Sequence, residues 1–123
     1  MYKYCIQSTN GGAYAFKSMA KINLGLDVLG KREDGYHEVR MIMQTIRMYD
    51  ILDIRKTRRP GIVLTTNLPF IPTDQRNLVY KAAQMLMEEF DVEEGLSIKL
   101  RKFIPVAAGM AGGSSDARPH LWV

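Results

Sequence analysis

Pro105-Val106-Ala107-Ala108-Gly109-Met110-Ala111-Gly112-Gly113-Ser114-Ser115-Asp116 follows an alternating run, and it concentrates three glycines, three alanines and two serines in twelve positions. Side chains this small let backbone approach a ligand to hydrogen-bonding distance, and glycine adopts the turns that aim successive N–H groups at one point. A helix starting near Ser114 would add its free N–H groups and the positive end of its dipole. The ligand such a loop suits is a phosphate.

Working outward, Leu96, Ile98 and Leu100 alternate with Ser97, Lys99 and Arg101. This is the pattern of a half-buried strand that delivers the chain to the loop. Before it, Leu78, Ala82, Met85, Leu86 and Phe90 form a helical stripe, with Asp74 as the N-cap and Gly95 closing the far side. Pro69 and Pro72 break the chain upstream. Residues 13–28 read as strand, Ile22, Leu24 and Leu26 alternating with Asn23, Gly25 and Asp27. Lys31-Arg32-Glu33-Asp34-Gly35 is a polar turn. Tyr36 to Ile46 and Ile51 to Lys56 are read as two strands joined at Met48-Tyr49-Asp50, and Ile62 to Thr66 as another. Strands first, then one helix and a strand, make the fold α+β.

Composition bounds the rest. With 123 residues the chain buries one modest core, so residues 1–123 are read as one domain. Hydrophobic content of 46% with 24% charged residues argues against intrinsic disorder. No apolar run reaches the roughly 18 residues of a membrane span, and Met1 to Gln7 lacks the apolar stretch of a secretory signal. A single cysteine, Cys5, excludes an internal disulfide and fits a reducing, cytoplasmic setting. The net charge of +4 suits a polyphosphate or a nucleic acid as well as it suits a scattered solvated surface. Arg55-Lys56-Thr57-Arg58-Arg59, before Pro60-Gly61, is read as a charged hairpin connection.

The loop is neither of the two common nucleotide motifs. No Gly-Lys-Ser/Thr follows the glycines, and Gly109, Gly112 and Gly113 miss the spacing of a dinucleotide fingerprint. The stretch from Pro105 to Ala117 resembles the phosphate loop of the GHMP small-molecule kinases. Three further segments agree in order and approximate spacing: Ala20-Lys21-Ile22-Asn23-Leu24, Asp34-Gly35-Tyr36-His37-Glu38 and Asp74-Gln75-Arg76-Asn77-Leu78.

The resemblance implies an α+β domain like one found in a ribosomal protein, a mixed or antiparallel sheet with a packed helix. It implies ATP and Mg²⁺ as cofactors, and phosphorylation of a cytidine-diphosphate-linked methylerythritol for isoprenoid synthesis. Backbone and hydroxyl groups of Pro105, Val106, Ala107, Ala108, Gly109, Met110, Ala111, Gly112, Gly113, Ser114 and Ser115 would cradle the ATP phosphates. Lys21 would be the catalytic lysine, Tyr36 and His37 would hold the cytosine, and Asn23 and Asn77 would position the substrate. The residue types suit those tasks: phosphoryl transfer rests on positioning and charge stabilisation, and tyrosine can stack on a pyrimidine.

Each residue also has a plainer reading. Lys21 fits a solvated strand lysine, His37 a surface histidine, Tyr36 a packing residue and Asn77 a helix cap. The joint occurrence of four segments is what sets these aside. Beyond Ala117 the pattern fails: the chain reads Arg118-Pro119-His120-Leu121-Trp122-Val123, where the family continues with a small-residue helix. The expectation is the N-terminal part of a kinase, cut short by truncation or a frame change, lacking the family's catalytic aspartate and inactive alone. Two alternatives stand beside it, a basic nucleic-acid-binding module and a non-functional gene fragment. The clustered glycines and serines and Tyr36-His37 favour a nucleotide ligand over a nucleic acid; no membrane partner is expected, and oligomeric state is not legible.

Overall fold

The computed structural model describes residues 7–9 and 13–107. Its elements are β1 (Gln7–Thr9), β2 (Ala13–Lys31), β3 (His37–Thr57), β4 (Ile62–Thr66), α1 (Leu78–Glu89) and β5 (Gly95–Arg101). They form a five-stranded sheet in the order β1-β2-β3-β5-β4. β4 and β5 are parallel and the other neighbours antiparallel. The sheet is mixed and the fold α+β, as the sequence implies.

Two long strands dominate. β2 and β3 make a hairpin closed by Arg32 to Tyr36, with Gly35 at φ 86°, a conformation costly for any residue with a Cβ. Arg32 N–H donates to Tyr36 O at 2.7 Å, and Tyr36 N–H donates to the Asp34 carboxylate at 3.1 Å. The two strands expected over 36–46 and 51–56 are one continuous strand. No glycine or proline interrupts 37–57, and Asp50, which reads as a turn residue, stays in the strand because groups distant in sequence satisfy its carboxylate.

The hairpin has a buried root and an exposed arm. Phe16, Ser18 and Ala20 on β2 and Asp50, Leu52 and Ile54 on β3 are buried. From Ile22 to Lys31, and back from His37 to Thr45, every residue is exposed. The expected alternation of Ile22, Leu24 and Leu26 into a core therefore fails. Register shifts leave Leu24 and Leu29 as extra residues on β2, which breaks the two-residue repeat and bends the arm.

α1 lies over the sheet. Its Val79 and Ala83, one turn apart, close a core of Phe16, Leu52, Ile54, Leu64, Ile98 and Leu100. The stripe expected from the sequence is turned by one residue, so that Leu78, Met85 and Phe90 are exposed. Small Ala83 and branched Val79 allow the close approach to the sheet. The N-cap is Asn77 and not Asp74, because the Asn77 Oδ1 accepts the Val79 N–H at 2.9 Å. At the other end Asp91, at φ 51°, takes the left-handed position; Val92 N–H donates to Met87 O and Asp91 N–H to Glu88 O.

The basic cluster at 55–59 is not a hairpin connection. β3 and β4 are not neighbours, because β5 lies between them. The chain leaves β3, skips one strand position, and returns through α1 to fill the gap. Gly95 is needed where β5 enters, since an added Cβ would lie 1.8 Å from Arg59 O and 2.5 Å from Thr57 Oγ1.

Two substitutions test this account by denaturant unfolding. Gly95→Ala costs about 1–3 kcal/mol, because backbone must move to admit the methyl group. Asp91→Gly raises stability by about 0.5–1 kcal/mol, since glycine carries no penalty in the left-handed region.

Candidate functional site

Strand β5 ends by exchanging backbone partners for side-chain partners. Its pairing with β3 stops at Ile51 and Arg101, and its pairing with β4 at Thr66 and Leu100. Beyond these points the Asn67 amide acts as a peptide group, its Oδ1 accepting the Lys102 N–H at 2.7 Å and its Nδ2 donating to Lys102 O at 3.1 Å. From the other side Asp50 Oδ1 accepts the Phe103 N–H at 2.5 Å and the Ile104 N–H at 2.8 Å. Asp50 Oδ2 accepts from Lys102 Nζ.

Asp50 is fully buried and Lys102 nearly so. An ionised carboxylate out of water is tolerated only when paired and hydrogen-bonded, and here one cation and two N–H groups do both. Breaking such a buried pair at one end costs about 3–5 kcal/mol. Ser18 stands opposite Asp50 in register and is likewise buried; its Oγ makes no hydrogen bond among the described residues. Sequence reading missed Asp50, Asn67 and Lys102. The one available signal was an acid inside an apolar strand, Tyr49-Asp50-Ile51-Leu52.

Past Ile104 the chain leaves the sheet through exposed Pro105, Val106 and Ala107. Ala107 has φ 61°, a left-handed turn at a residue that is not glycine. Ala108 to Ser115, the remainder of the expected phosphate loop, lie outside the described residues.

Of the other candidates, Lys21 and Asn23 come together. Lys21 Nζ donates to Asn23 Oδ1 at 3.3 Å, where the arm leaves the core. Between the pairs Met19–Tyr49 and Lys21–Thr45 the register shifts, Ile46 to Met48 on β3 facing Ala20 alone on β2, a surplus of two residues. Such an irregularity re-aims side chains at a bend. Tyr36 and His37 are at the arm's exposed tip, where His37 pairs with Lys31. Ten strand positions separate Lys31 from Lys21, about 33 Å if straight and less along a bent strand. The structure does not bring Tyr36 and His37 to Lys21.

Asn77 sits at the N-terminus of α1. Besides capping through Oδ1, its Nδ2 donates to Pro72 O at 2.8 Å, so the helix and the preceding loop both use this side chain. Next to it, the Asp74 carboxylate accepts the Arg76 N–H at 3.0 Å and pairs with the guanidinium at 2.8 Å. The guanidinium and backbone bonds from Arg76 hold Asp74 at about 2, below the ordinary 3.8. An open cleft of about 560 Å³ runs between β4 and this segment, with Leu68, Phe70 and Arg76 in its wall.

With the geometry in place, the chain can be set beside known proteins. Residues 77–118 match the model of the GHMP kinases N terminal domain. The homoserine kinase of Cytophaga hutchinsonii shares the fold, with a TM-score of 0.67 at 14% identity over 95% of this chain and 36% of that one. The family match is thus confined to residues 77–118, and the likeness to the homoserine kinase is one of fold alone.

Two curated relatives and one further solved structure are more similar in sequence. The chain is 55% identical over 108 residues to the 4-diphosphocytidyl-2-C-methyl-D-erythritol kinase of Lachnoclostridium phytofermentans, which covers 88% of this chain and 37% of the relative. It is 56% identical over 105 residues to the enzyme of that name from Caldicellulosiruptor bescii, over 85% and 37%. A crystal structure of 4-(cytidine 5'-diphospho)-2C-methyl-D-erythritol kinase superposes with a TM-score of 0.73 at 36% identity, over 87% of this chain and 38% of that one. The chain thus spans a little over a third of the length of these relatives.

The depressed Asp74 is directly measurable. In an NMR titration its carboxyl is expected to change near pH 2, so its pairing with Arg76 persists as pH falls past the ordinary 3.8 and is lost only as it falls through about 2. In Arg76→Met the midpoint returns toward 3.8. An unchanged midpoint in the variant would assign the shift to something other than the guanidinium.

Proposed function

We propose that this chain is the ATP-binding N-terminal part, residues 1–123, of a kinase that phosphorylates the 2-hydroxyl of 4-diphosphocytidyl-2-C-methyl-D-erythritol in non-mevalonate isoprenoid synthesis. What carries the reading is the identity of 55% over 108 residues to relatives of that name, together with a shared fold. A water-soluble substrate of this kind belongs with a cytoplasmic setting. No helix among the described residues is long and apolar enough to cross a membrane.

The residues divide the work as follows. Backbone N–H groups of Pro105 to Ser115, apart from that of Pro105, which has none, grip the ATP phosphates, and the Ser114 and Ser115 hydroxyls add to the grip. Mg²⁺ takes oxygen ligands and is held largely by substrate phosphates, so a serine hydroxyl suffices from the protein, and when bound it neutralises charge on the β- and γ-oxygens. Lys21 brings a compact positive charge to the transferred phosphoryl group, and its bond to Asn23 holds that ammonium in place. The substrate hydroxyl oxygen forms the new bond to the γ-phosphorus as the bond to ADP breaks. The hydroxyl proton passes to the aspartate that the resemblance puts beyond Ala117.

Tyr36 stacks on the cytosine and His37 reads its edge, with Asn23 and Asn77 as positioning groups for the substrate. Because the arm holds Tyr36 and His37 away from Lys21, an extended substrate or a closer bend of the arm must bridge the interval.

Two measurements on the 123-residue chain test the proposal. It binds a non-hydrolysable ATP analogue with Mg²⁺ by calorimetry, and Gly112→Val abolishes that binding. Given ATP, Mg²⁺ and the cytidine substrate, these 123 residues alone are expected to release no ADP, since the resemblance puts the catalytic aspartate beyond Ala117. In a chain of the relatives' full length, Lys21→Met lowers kcat by about 10²–10³. Steady ADP release by the 123-residue chain alone, or salt-sensitive RNA binding in place of nucleotide binding, would be incompatible with this reading.

A further inference from the structure

The end of β5 carries more polar chemistry than a strand terminus needs. Three consecutive residues, Lys102 to Ile104, have their N–H groups held by two side chains from other strands or their connections. Those side chains, Asn67 and Asp50, are 35 and 52 residues away from Lys102. Nothing local in the sequence imposes this.

We propose that Asp50, supported by Asn67, is a positioning residue for nucleotide phosphates: it sets the direction in which the chain leaves β5 and so aims the loop that begins at Pro105. The inference rests on reading that loop as the phosphate site.

The geometry argues for aim as well as cohesion. β3 continues its own pairing with β2 at Asp50 and Ser18, so that part of the sheet does not end here, while β4 stops at Thr66 and β5 departs after Arg101. The departing backbone needs acceptors for the N–H groups of Phe103 and Ile104, and one carboxylate oxygen supplies both. Two N–H groups converging on one oxygen force a tight curl that a ladder of separate carbonyls does not produce. The second oxygen takes Lys102 Nζ, so the lysine side chain is turned into the protein and buried there.

Asn67 fixes the other rail, binding both backbone groups of Lys102. Pro105, with no N–H and a restricted φ, follows at once. Ala107 then takes the left-handed turn. Those contacts fix the backbone from Lys102 to Ile104, from which the chain enters the loop, and misplacement of a phosphate cradle by about 1 Å is enough to lose about 10²-fold in rate.

The test uses the 123-residue chain, with a non-hydrolysable ATP analogue plus Mg²⁺ and cytidine 5'-diphosphate as separate probes, and amide hydrogen exchange as the structural readout. Asp50→Asn keeps the size of the side chain but removes its charge. It is expected to speed exchange at Phe103 and Ile104 and to weaken the ATP analogue about tenfold, leaving cytidine diphosphate within about twofold. Asn67→Ala, at an exposed position, is the second variant if Asp50→Asn does not fold. It is expected to expose the Lys102 amide and weaken the same ligand selectively, while Asn67→Gln restores part of the loss.

Freed amides with unchanged affinity for the ATP analogue would overturn the inference, as would equal loss of both ligands, which is the mark of general destabilisation. If the unaltered chain binds no ATP analogue, the phosphate-site reading fails and this inference with it. In that event, exchange at Phe103 and Ile104 still reports whether Asp50 holds the strand exit.

Discussion

Strand β5 lies between β3, to which it is antiparallel, and β4, to which it is parallel, and the rest of the molecule follows from that insertion. A strand paired on both edges has all its backbone groups satisfied, and its inward side chains Ile98 and Leu100 are almost wholly buried. Each such side chain contributes about 1.5–3 kcal/mol relative to exposure. A parallel neighbour also demands a crossover, and α1 is that crossover. Val79 and Ala83 then cover the face that the insertion created.

The same insertion explains where polar groups are buried. A strand that leaves a sheet while its neighbour continues would strand its N–H groups in the interior, a cost of about 1–3 kcal/mol apiece. Asp50 and Asn67 remove that cost, and Lys102 neutralises the charge that Asp50 brings in. The end of the core is thus polar for a structural reason, and it is also the place where the chain turns toward the glycine-serine stretch.

The β2–β3 arm obeys a different constraint. Its root is part of the core, but beyond Lys21 no layer of described residues covers either face, and Leu24, Leu26, Val28 and Ile42 are all more than half exposed. Apolar residues so displayed are a docking surface in many proteins, and the relatives of this chain are nearly three times as long. Lys21 and Asn23 stand at the boundary between covered and uncovered strand, where register shifts bend it. Tyr36 and His37 are at the far end, with about ten residues of strand between.

Much of this was legible in the residues. The alternation of Leu96, Ile98 and Leu100 announced β5, the β-branched run Ile62 to Thr66 announced β4, and Asp34-Gly35 announced the turn. These are local signals, governed by propensity and by a two-residue repeat that no distant contact alters. The four kinase-like segments were legible for the same reason, being short strings with their own chemistry. What failed was whatever depended on a neighbour. Asp50 read as a turn because its partners lie some fifty residues on. The α1 stripe was assigned one residue off because the face that is buried depends on the sheet below. The 55–59 cluster read as a hairpin because pairing order is not written in either strand.

The sequence by itself thus determined the kinds of element and the turn glycine, since each depends on backbone and side-chain chemistry within a few residues. Only the tertiary structure decided that β5 separates β3 from β4, and that Asp50, Asn67 and Lys102 meet at the head of the loop. The reason is that buried polar groups take whichever partners the packed chain brings within 3 Å, and that choice is made by the fold as a whole.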